Sequence, residues 1–330
     1  MGRLYRATSG PRGPGADREK RATSVIKPSC SPNDFPNKLI PSRPIALASE
    51  GAEMKVVVTG GSGKAGRYVT ADLREKGHQV LNVDRAGSAQ GVSVLADLTD
   101  YGQARELIEG AEAVVHLAAI PASGIRSEGE TFRINILSTY NVFAAAVAAG
   151  AHRVVWASSE TVLGLPFDTP PAFAPIDESI DPRPESSYAL SKLAGEMMAE
   201  QFARRSGAVF VGLRFSNIME PAEYQTFSGF WDKPLLRKWN LWGYVDARDV
   251  AQAVRRSLTA NLEAADVCII AAADTVMPQP SAELMAAVYP QVPLRRTLQG
   301  TETLLAIDRA RVVLGYQPEH SWRDHLGSGR

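Results

Sequence analysis

Cysteine is nearly missing from this chain: only Cys30 and Cys268 occur in 330 residues. They lie far apart with no C-x-x-C spacing, which argues against a disulfide scaffold or a cysteine-based zinc site and fits a reducing cytoplasm. The histidines, His78, His116, His152, His320 and His325, are scattered without metal-ligand spacing, so no metal is expected. A surplus of either charge is lacking as well. With 36 basic and 36 acidic side chains, no overall field draws the chain to nucleic acid or to an anionic membrane. Long apolar runs are missing too, since none reaches the ~18 residues that a membrane span needs. The expectation is a soluble, cytoplasmic, globular protein. Its hydrophobic content of 45% is enough for a sizeable core.

Residues 1–53 differ in composition from the rest of the chain. They hold Pro11, Pro14, Pro28, Pro32, Pro36, Pro41 and Pro44 among many Arg, Lys, Ser and Gly residues, with no sustained apolar period. Such a segment buries too little surface to offset its ordering entropy. It also lacks the apolar stretch of a secretory signal, and Asp17, Glu19 and Asp34 argue against a transit peptide. The expectation is a flexible extension, or the product of a start site upstream of Met54, which stands directly before the first strand-like run.

From Met54 onward, short apolar runs alternate with helical stretches. KVVV (55–58), QVLNVD (79–84), VSVLADL (92–98), AEAVVHLAA (111–119), RVVWASS (153–159) and VFVGLRFSN (209–217) read as strands. Helices are expected over 64–76, around YGQARELIEG, over 131–148, and from YALSK to about Arg205, with Gly77 ending the first. Near-continuous, β-branched strands separated by helices predict a doubly wound α/β fold, with a parallel sheet covered on both faces. No solenoid-type repeat is visible.

The first strand leads into TGGSGKAG (59–66). Gly61, Gly63 and Gly66 satisfy G-x-G-x-x-G; Gly60, Gly63 and Gly66 satisfy the looser T-G-x-x-G-x-x-G. Glycines let a backbone turn tightly and approach a pyrophosphate while the helix packs close to the strand. The amides of Ser62, Gly63, Lys64 and Ala65 then present the positive helix end to phosphate. Asp84 ends the second strand, 24 residues past Gly60, where an acid bonds the adenosine ribose diol and repels a 2′-phosphate. This pattern points to a Rossmann-type site for NAD. The adjacent Arg85 keeps NADP as the lesser alternative.

Tyr188 and Lys192 in YALSK are one helical turn apart, so phenol and ammonium share a face. Taken alone, Y-x-x-x-K arises easily by chance. The motifs around it form an ordered series: TGGSGKAG, Asp84, DLTD (97–100), HLAAIP (116–121), Asn135, SSETVLG (158–164), YALSK, LRFSNIMEP (213–221), YVDARDVA (244–251) and a closing DRARVVLGYQPEHSWRDHL (308–326). In this order the chain resembles an extended short-chain dehydrogenase/reductase, the NAD-dependent epimerase/dehydratase family, over essentially residues 54–330.

That resemblance implies roles residue by residue. Tyr188 and Lys192 become the candidate catalytic pair, and Lys192 also bonds the nicotinamide ribose. Ser159, five residues before Gly164, holds the reacting oxygen, with Ser158 beside it as the fallback. Asp97 and the Leu98 backbone contact adenine, although Asp97 equally reads as a turn aspartate. Ala118 and Ala119 line the cofactor. Asn135 supports the proton path or is buried structure. Moving hydride at a carbinol carbon requires a proton to leave or join the same oxygen. A free tyrosine titrates near ~10, so the expectation is that Lys192 and oxidised nicotinamide draw the pKa of Tyr188 down.

Fold and cofactor do not decide the reaction. Family dehydratases carry an Asp–Glu pair after the hydroxyl residue; here Glu160 and Thr161 stand there, which disfavours elimination, and Leu163 replaces the family's aromatic. Nucleotide-sugar epimerases carry an Arg before the YVDARDV-like segment to clamp a diphosphate. This chain has Trp242 and Gly243, with Arg237 and Lys238 out of register, although Asn217 does match an asparagine that contacts the diphosphate. A compact substrate part, roughly 217–330, resembles members that oxidise free sugars or uronic acids. Arg126 is a candidate partner for a substrate carboxylate. The cluster Phe227, Phe230, Trp231, Trp239 and Trp242 should cap the substrate site, as core or as a sugar-stacking surface. The expected function is an NAD-dependent oxidoreductase of a sugar, sugar acid or polyol. The alternatives are a nucleotide-sugar 4-epimerase with tightly bound NAD and a non-catalytic dinucleotide-sensing regulator. A homodimer is common in the family.

Overall fold

The computed structural model describes residues 53–87 and 93–326. Apart from Glu53, the expectations for residues 1–53 fall outside the described residues. In chain order the regular elements are β1 (Lys55–Thr59), α1 (Lys64–Glu75), β2 (Gln79–Asp84), β3 (Val94–Leu95), α2 (Tyr101–Ile108), β4 (Ala113–His116), α3 (Glu128–Ala149) and β5 (Arg153–Ser159). Then come α4 (Ser187–Ser206), β6 (Val209–Phe215), β7 (Ile218–Met219), β8 (Val245–Asp246), α5 (Ala247–Thr259), β9 (Ala265–Ile270), α6 (Ser281–Val288), α7 (Asp308–Leu314) and α8 (Trp322–Leu326). Two 3-10 segments, Pro221–Gly229 and Pro234–Asn240, lie between β7 and β8.

Seven strands form one parallel sheet in the order β3-β2-β1-β4-β5-β6-β9. This is the Rossmann-type doubly wound fold. The chain runs outward from β1 to β3, then crosses back to place β4 beside β1. At that switch point the strand ends leave a crevice, which is where such sheets bind ligands. β1 shows why the sheet reads as continuous apolar runs: Val56 and Val58 enter the core that contains Val69 and Leu73 of α1, while Val57 enters the opposite core with Ala104 and Val114. Both faces are buried, so no polar alternation survives.

Helix limits reflect local chemistry. Ser127 caps α3 by accepting from the Glu130 amide at 3.3 Å, and Gly150 ends it at φ +77°. Ser186 caps α4 through the Ala189 amide at 3.1 Å, and Gly207 ends it at φ +75°. Two strands are shorter than the apolar runs imply. The third run covers 92–98, but the ladder ends at Leu95 because Asp97 Oδ1 turns back onto the amide and hydroxyl of Thr99 at 3.0 and 2.8 Å. The fourth run covers 111–119 and its strand only Ala113–His116, since the chain bends away at Ala118 where Gly60 crosses it.

Past residue 217 the chain divides its tasks. α5 and β9 complete the sheet and its core, while Tyr224 and Phe227 of the first 3-10 segment and Trp322 of α8 pack into the same core. The closing family motifs are structural ties. Asp246 caps α5 and accepts from the Arg248 guanidinium at 2.8 Å. Asp249 takes the backbone amides of Glu319 and His320 at 3.1 Å, together with the His320 ring at 2.7 Å. Trp322 donates its indole N–H to Thr275 O at 2.8 Å.

Candidate active site

A cleft of about 900 Å³ opens over the ends of β1, β2, β4, β5 and β6. The β1–α1 turn forms one wall. Gly60 sits at φ +72°, and a Cβ there would stand 2.5 Å from Ala118 N. At Gly66 a Cβ would stand 2.1 Å from Gly60 O, so helix and turn touch backbone to backbone. α1 begins at Gly63 with no side-chain cap, which leaves its first-turn amides open toward the cleft. Asp84 Oδ2 accepts from the Ser62 amide at 2.9 Å and Oδ1 from the Arg85 amide at 2.7 Å. Each carboxylate oxygen keeps further acceptor capacity. Thr99 occupies Asp97 Oδ1 and holds that carboxyl below its usual range, while Asp97, Leu98, Ala118 and Ala119 all line the cleft. The open amides, the glycine cradle that a Cβ would fill and the acid ending β2 match the donor and acceptor set of a dinucleotide such as NAD.

Lys64 does more than offer its backbone amide. Its Nζ reaches Glu223 at 2.6 and 2.7 Å and Ile218 O at 3.2 Å. One turn on, Arg67 pairs with Glu220 at 2.6 Å. The helix whose N-terminus faces the cleft is thereby tied to the segment after β7.

At the opposite wall, Tyr188 and Lys192 come from the first turns of α4 and Ser159 from the end of β5. All three are buried and line the cleft. Ser159 stands beside the Tyr188 hydroxyl, and its Oγ accepts from the Thr161 amide and hydroxyl at 3.2 and 3.0 Å. Lys192 Nζ stands 5.6 Å from the Tyr188 ring centroid and donates to Ala157 O at 2.8 Å. Burial pushes Tyr188 up to about 12, opposed by the Ser159 hydrogen bond and reinforced by the Glu160 charge. Burial pushes Lys192 down to about 8. The expectation that Lys192 and oxidised nicotinamide together draw the tyrosine down concerns the cofactor-bound state; in the cleft by itself desolvation sets the direction at Tyr188.

Other residues singled out in the sequence have different tasks. Ser158 Oγ donates to Glu196 at 2.6 Å, and Glu196 is held bidentately by Arg214 at 2.9 and 2.7 Å in a buried ion pair. Arg126 does not line the cleft; it is 59% exposed and 3.9 Å from Glu130 in the first turn of α3. Asn135 grips the Ile120 backbone with both amide atoms, at 2.8 and 3.1 Å. Asn217 lines the cleft with its Nδ2 3.1 Å from Met219 Sδ. His116 lies buried between the Thr59 and Thr139 hydroxyls, and burial, together with Lys192, pushes it down to about 3. Of the aromatic cluster, Phe227 and Trp242 are fully buried and only Trp239 lines the cleft.

The residue that sequence reasoning passes over is Glu160, visible there only as a departure from the dehydratase pair. It is buried beside Ser159 and accepts from Ser216 Oγ at 2.6 Å, from Asn240 Nδ2 at 3.1 Å and from the Asn217 amide. Burial pushes it up to about 7 against these donors and the Arg237 charge. The available signal is an acidic residue inside an otherwise apolar strand end. A carboxyl whose folded pKa is raised holds a proton that the unfolded chain has lost. Its contribution to stability is therefore full below the unfolded value and declines as pH rises through the window from about 4.5 to about 7. At ~1.4 kcal/mol per pH unit, Glu160→Gln is expected to gain about 3 kcal/mol relative to wild type between pH 4.5 and 8. Thermal melts of both proteins across that range test this, and a gap independent of pH would show an ordinary carboxyl.

Fold and cleft together define a dinucleotide-dependent enzyme of the extended short-chain dehydrogenase/reductase type. A model of the NAD dependent epimerase/dehydratase family matches residues 56–271, and the chain belongs to that family. Among similar proteins, an L-arabinose 1-dehydrogenase (NAD(P)(+)) of Haloferax volcanii is 29% identical over 217 residues, which span 63% of this chain and 84% of that one. A uronate dehydrogenase of Pseudomonas syringae is 30% identical over 184 residues, 53% of this chain and 63% of the relative. The solved structure of MoeE5 in complex with UDP-glucose and NAD superposes with a TM-score of 0.61 at 26% identity, over 82% of this chain and 96% of that one.

Proposed function

We propose that this protein is an NAD-dependent dehydrogenase that oxidises a carbinol of a free sugar-type substrate through Tyr188, Lys192 and Ser159. The observation that carries the choice over epimerisation is at the covering segment. Where nucleotide-sugar epimerases place a diphosphate-clamping arginine, this chain buries Trp242 completely. The neighbouring Arg237 is turned away, stacked 4.5 Å from the Trp239 ring centroid and bonded to Gly243 O at 3.1 Å. Asn217 alone remains of the diphosphate contacts.

When bound, NAD supplies the hydride acceptor and, oxidised, a positive ring. The open amides of Lys64 and Ala65 and the carboxylate of Asp84 would hold it, whereas the Ser62 and Gly63 amides, expected to join them, are spent on Asp84 and on Gly60 O. Burial keeps the Tyr188 phenol protonated in the cleft by itself. Its phenolate, favoured by the positive ring of bound oxidised NAD, would take the proton of the substrate hydroxyl while Ser159 donates to the oxygen that loses it. Lys192, cationic below about pH 8, would bond the ribose. Ser159 Oγ accepts both of its Thr161 hydrogen bonds, so its own proton stays available. A sensor would have no use for this buried acid–base set.

The test is release of reduced cofactor. Incubated with NAD and sugars, uronic acids, polyols and UDP-sugars, the protein is expected to accumulate NADH with a free sugar-type substrate. Conversion of UDP-glucose to UDP-galactose without NADH would favour the epimerase. Silence across the panel would favour the sensor.

A further inference from the structure

Resting on the dehydrogenase reading, we infer that the substrate is an uncharged polyhydroxy compound seated against the indole of Trp239. The charged residues lining the cleft sort by place. Asp84, Arg85 and Asp97 lie after β2 and β3 at the adenosine end. Lys64 is spent on Glu223 at 2.6 Å and on Ile218 O. Lys192 donates to Ala157 O and shares the helix face of Tyr188. That leaves Glu160, whose own carboxyl sits beside Ser159. Among the described residues lining this end, no cation remains to receive a substrate carboxylate or phosphate. An anion brought here would lose its hydration without a partner and would face a second carboxyl.

What the site offers instead is a flat apolar surface with hydroxyl and amide groups around it. Trp239 lines the cleft, and Asn240, next in the chain, donates to Glu160, which adjoins Ser159. The indole therefore stands at the reacting end. Arg237 covers one face of it at 4.5 Å and is itself 5% exposed, so the guanidinium holds the ring in place without entering the cleft. The remaining ring surface suits the C–H face of a sugar. Ser123, Ser186 and Asn217 supply neutral polar groups for hydroxyls.

The experiment uses the full chain with saturating NAD and matched sets: pentoses and hexoses, each with its uronic acid and its terminal phosphate. The neutral member is expected to be favoured by at least ~10-fold in kcat/KM. Trp239→Ala should raise the sugar KM by at least ~10-fold and leave NAD affinity, titrated by fluorescence, within ~2-fold; Trp239→Phe should recover most of the loss. Preference for a charged member would overturn the inference and leave the dehydrogenase intact. An unchanged KM in Trp239→Ala would overturn the seat on the indole. Absence of NADH from every set would overturn the dehydrogenase reading itself, and NAD titration distinguishes this from a misfolded protein.

Discussion

Replacing Tyr188 with phenylalanine is expected to lower kcat by at least ~100-fold, the scale of lost acid–base catalysis, with NAD affinity nearly unchanged. The ring of Tyr188 is 9% exposed in the wall of the cleft, so Phe keeps the packing of α4 against β5. Only the hydroxyl goes, the group that faces Ser159. Lys192 keeps its bond to Ala157 O at 2.8 Å and its place for the ribose. Binding and chemistry should therefore separate: fluorescence titration with NAD stays level while turnover collapses. A variant that retains half the wild-type rate would sink the assignment, because Tyr188 is the phenol that reaches Ser159 in this cleft.

The second large effect is expected at Gly60. Alanine there must adopt φ +72°, and its Cβ would meet Ala118 N at 2.5 Å, with Ala118 Cα and Leu117 C at 2.7 Å. All three are backbone atoms of the chain leaving β4, so nothing flexible can yield. The turn is held from both sides: Gly60 N donates to Val83 O at 2.8 Å and Gly60 O accepts from Gly63 N at 3.1 Å. Relieving the clash displaces the start of α1 and with it the open amides proposed to serve the pyrophosphate. Gly60→Ala should cost ~3 kcal/mol or more in stability and weaken NAD binding by at least ~100-fold. Gly63 is the control. Its φ is −72°, and a Cβ there would meet only Gly60 O, at 3.2 Å. Melting temperature and NAD titration on both variants decide the matter, and equal losses at the two positions would refute the close-approach argument.

The site was legible in proportion to how local its geometry is. The glycine turn declares itself because a strand, a tight turn and a helix are consecutive in the chain. Tyr188 and Lys192 declare themselves because one helical turn sets their spacing, and the strands because burial on both faces leaves unbroken valine runs such as Val56–Val58. Glu160 did not. Its partners Ser216 and Asn240 lie 56 and 80 residues away, and nothing in SSETVLG shows that they converge on it. Arg126 misleads for the opposite reason: its loop position is close to the cleft in sequence, but its side chain approaches Glu130 in the first turn of α3 instead.

The sequence by itself determined the fold class and the family, since these rest on the alternation of strands and helices and on the order of motifs from Met54 onward, and it carried the local spacing of the glycine turn and of Tyr188 and Lys192. Tertiary structure decided how those groups behave. Burial raised Tyr188 and Glu160 and lowered Lys192, because desolvation depends on every element packed around a side chain. It also decided which cations are spent, joining Lys64 to Glu223 across 159 residues and Arg214 to Glu196 under Ser158. Such pairings are set by where the completed sheet brings distant segments together, and no local pattern encodes them.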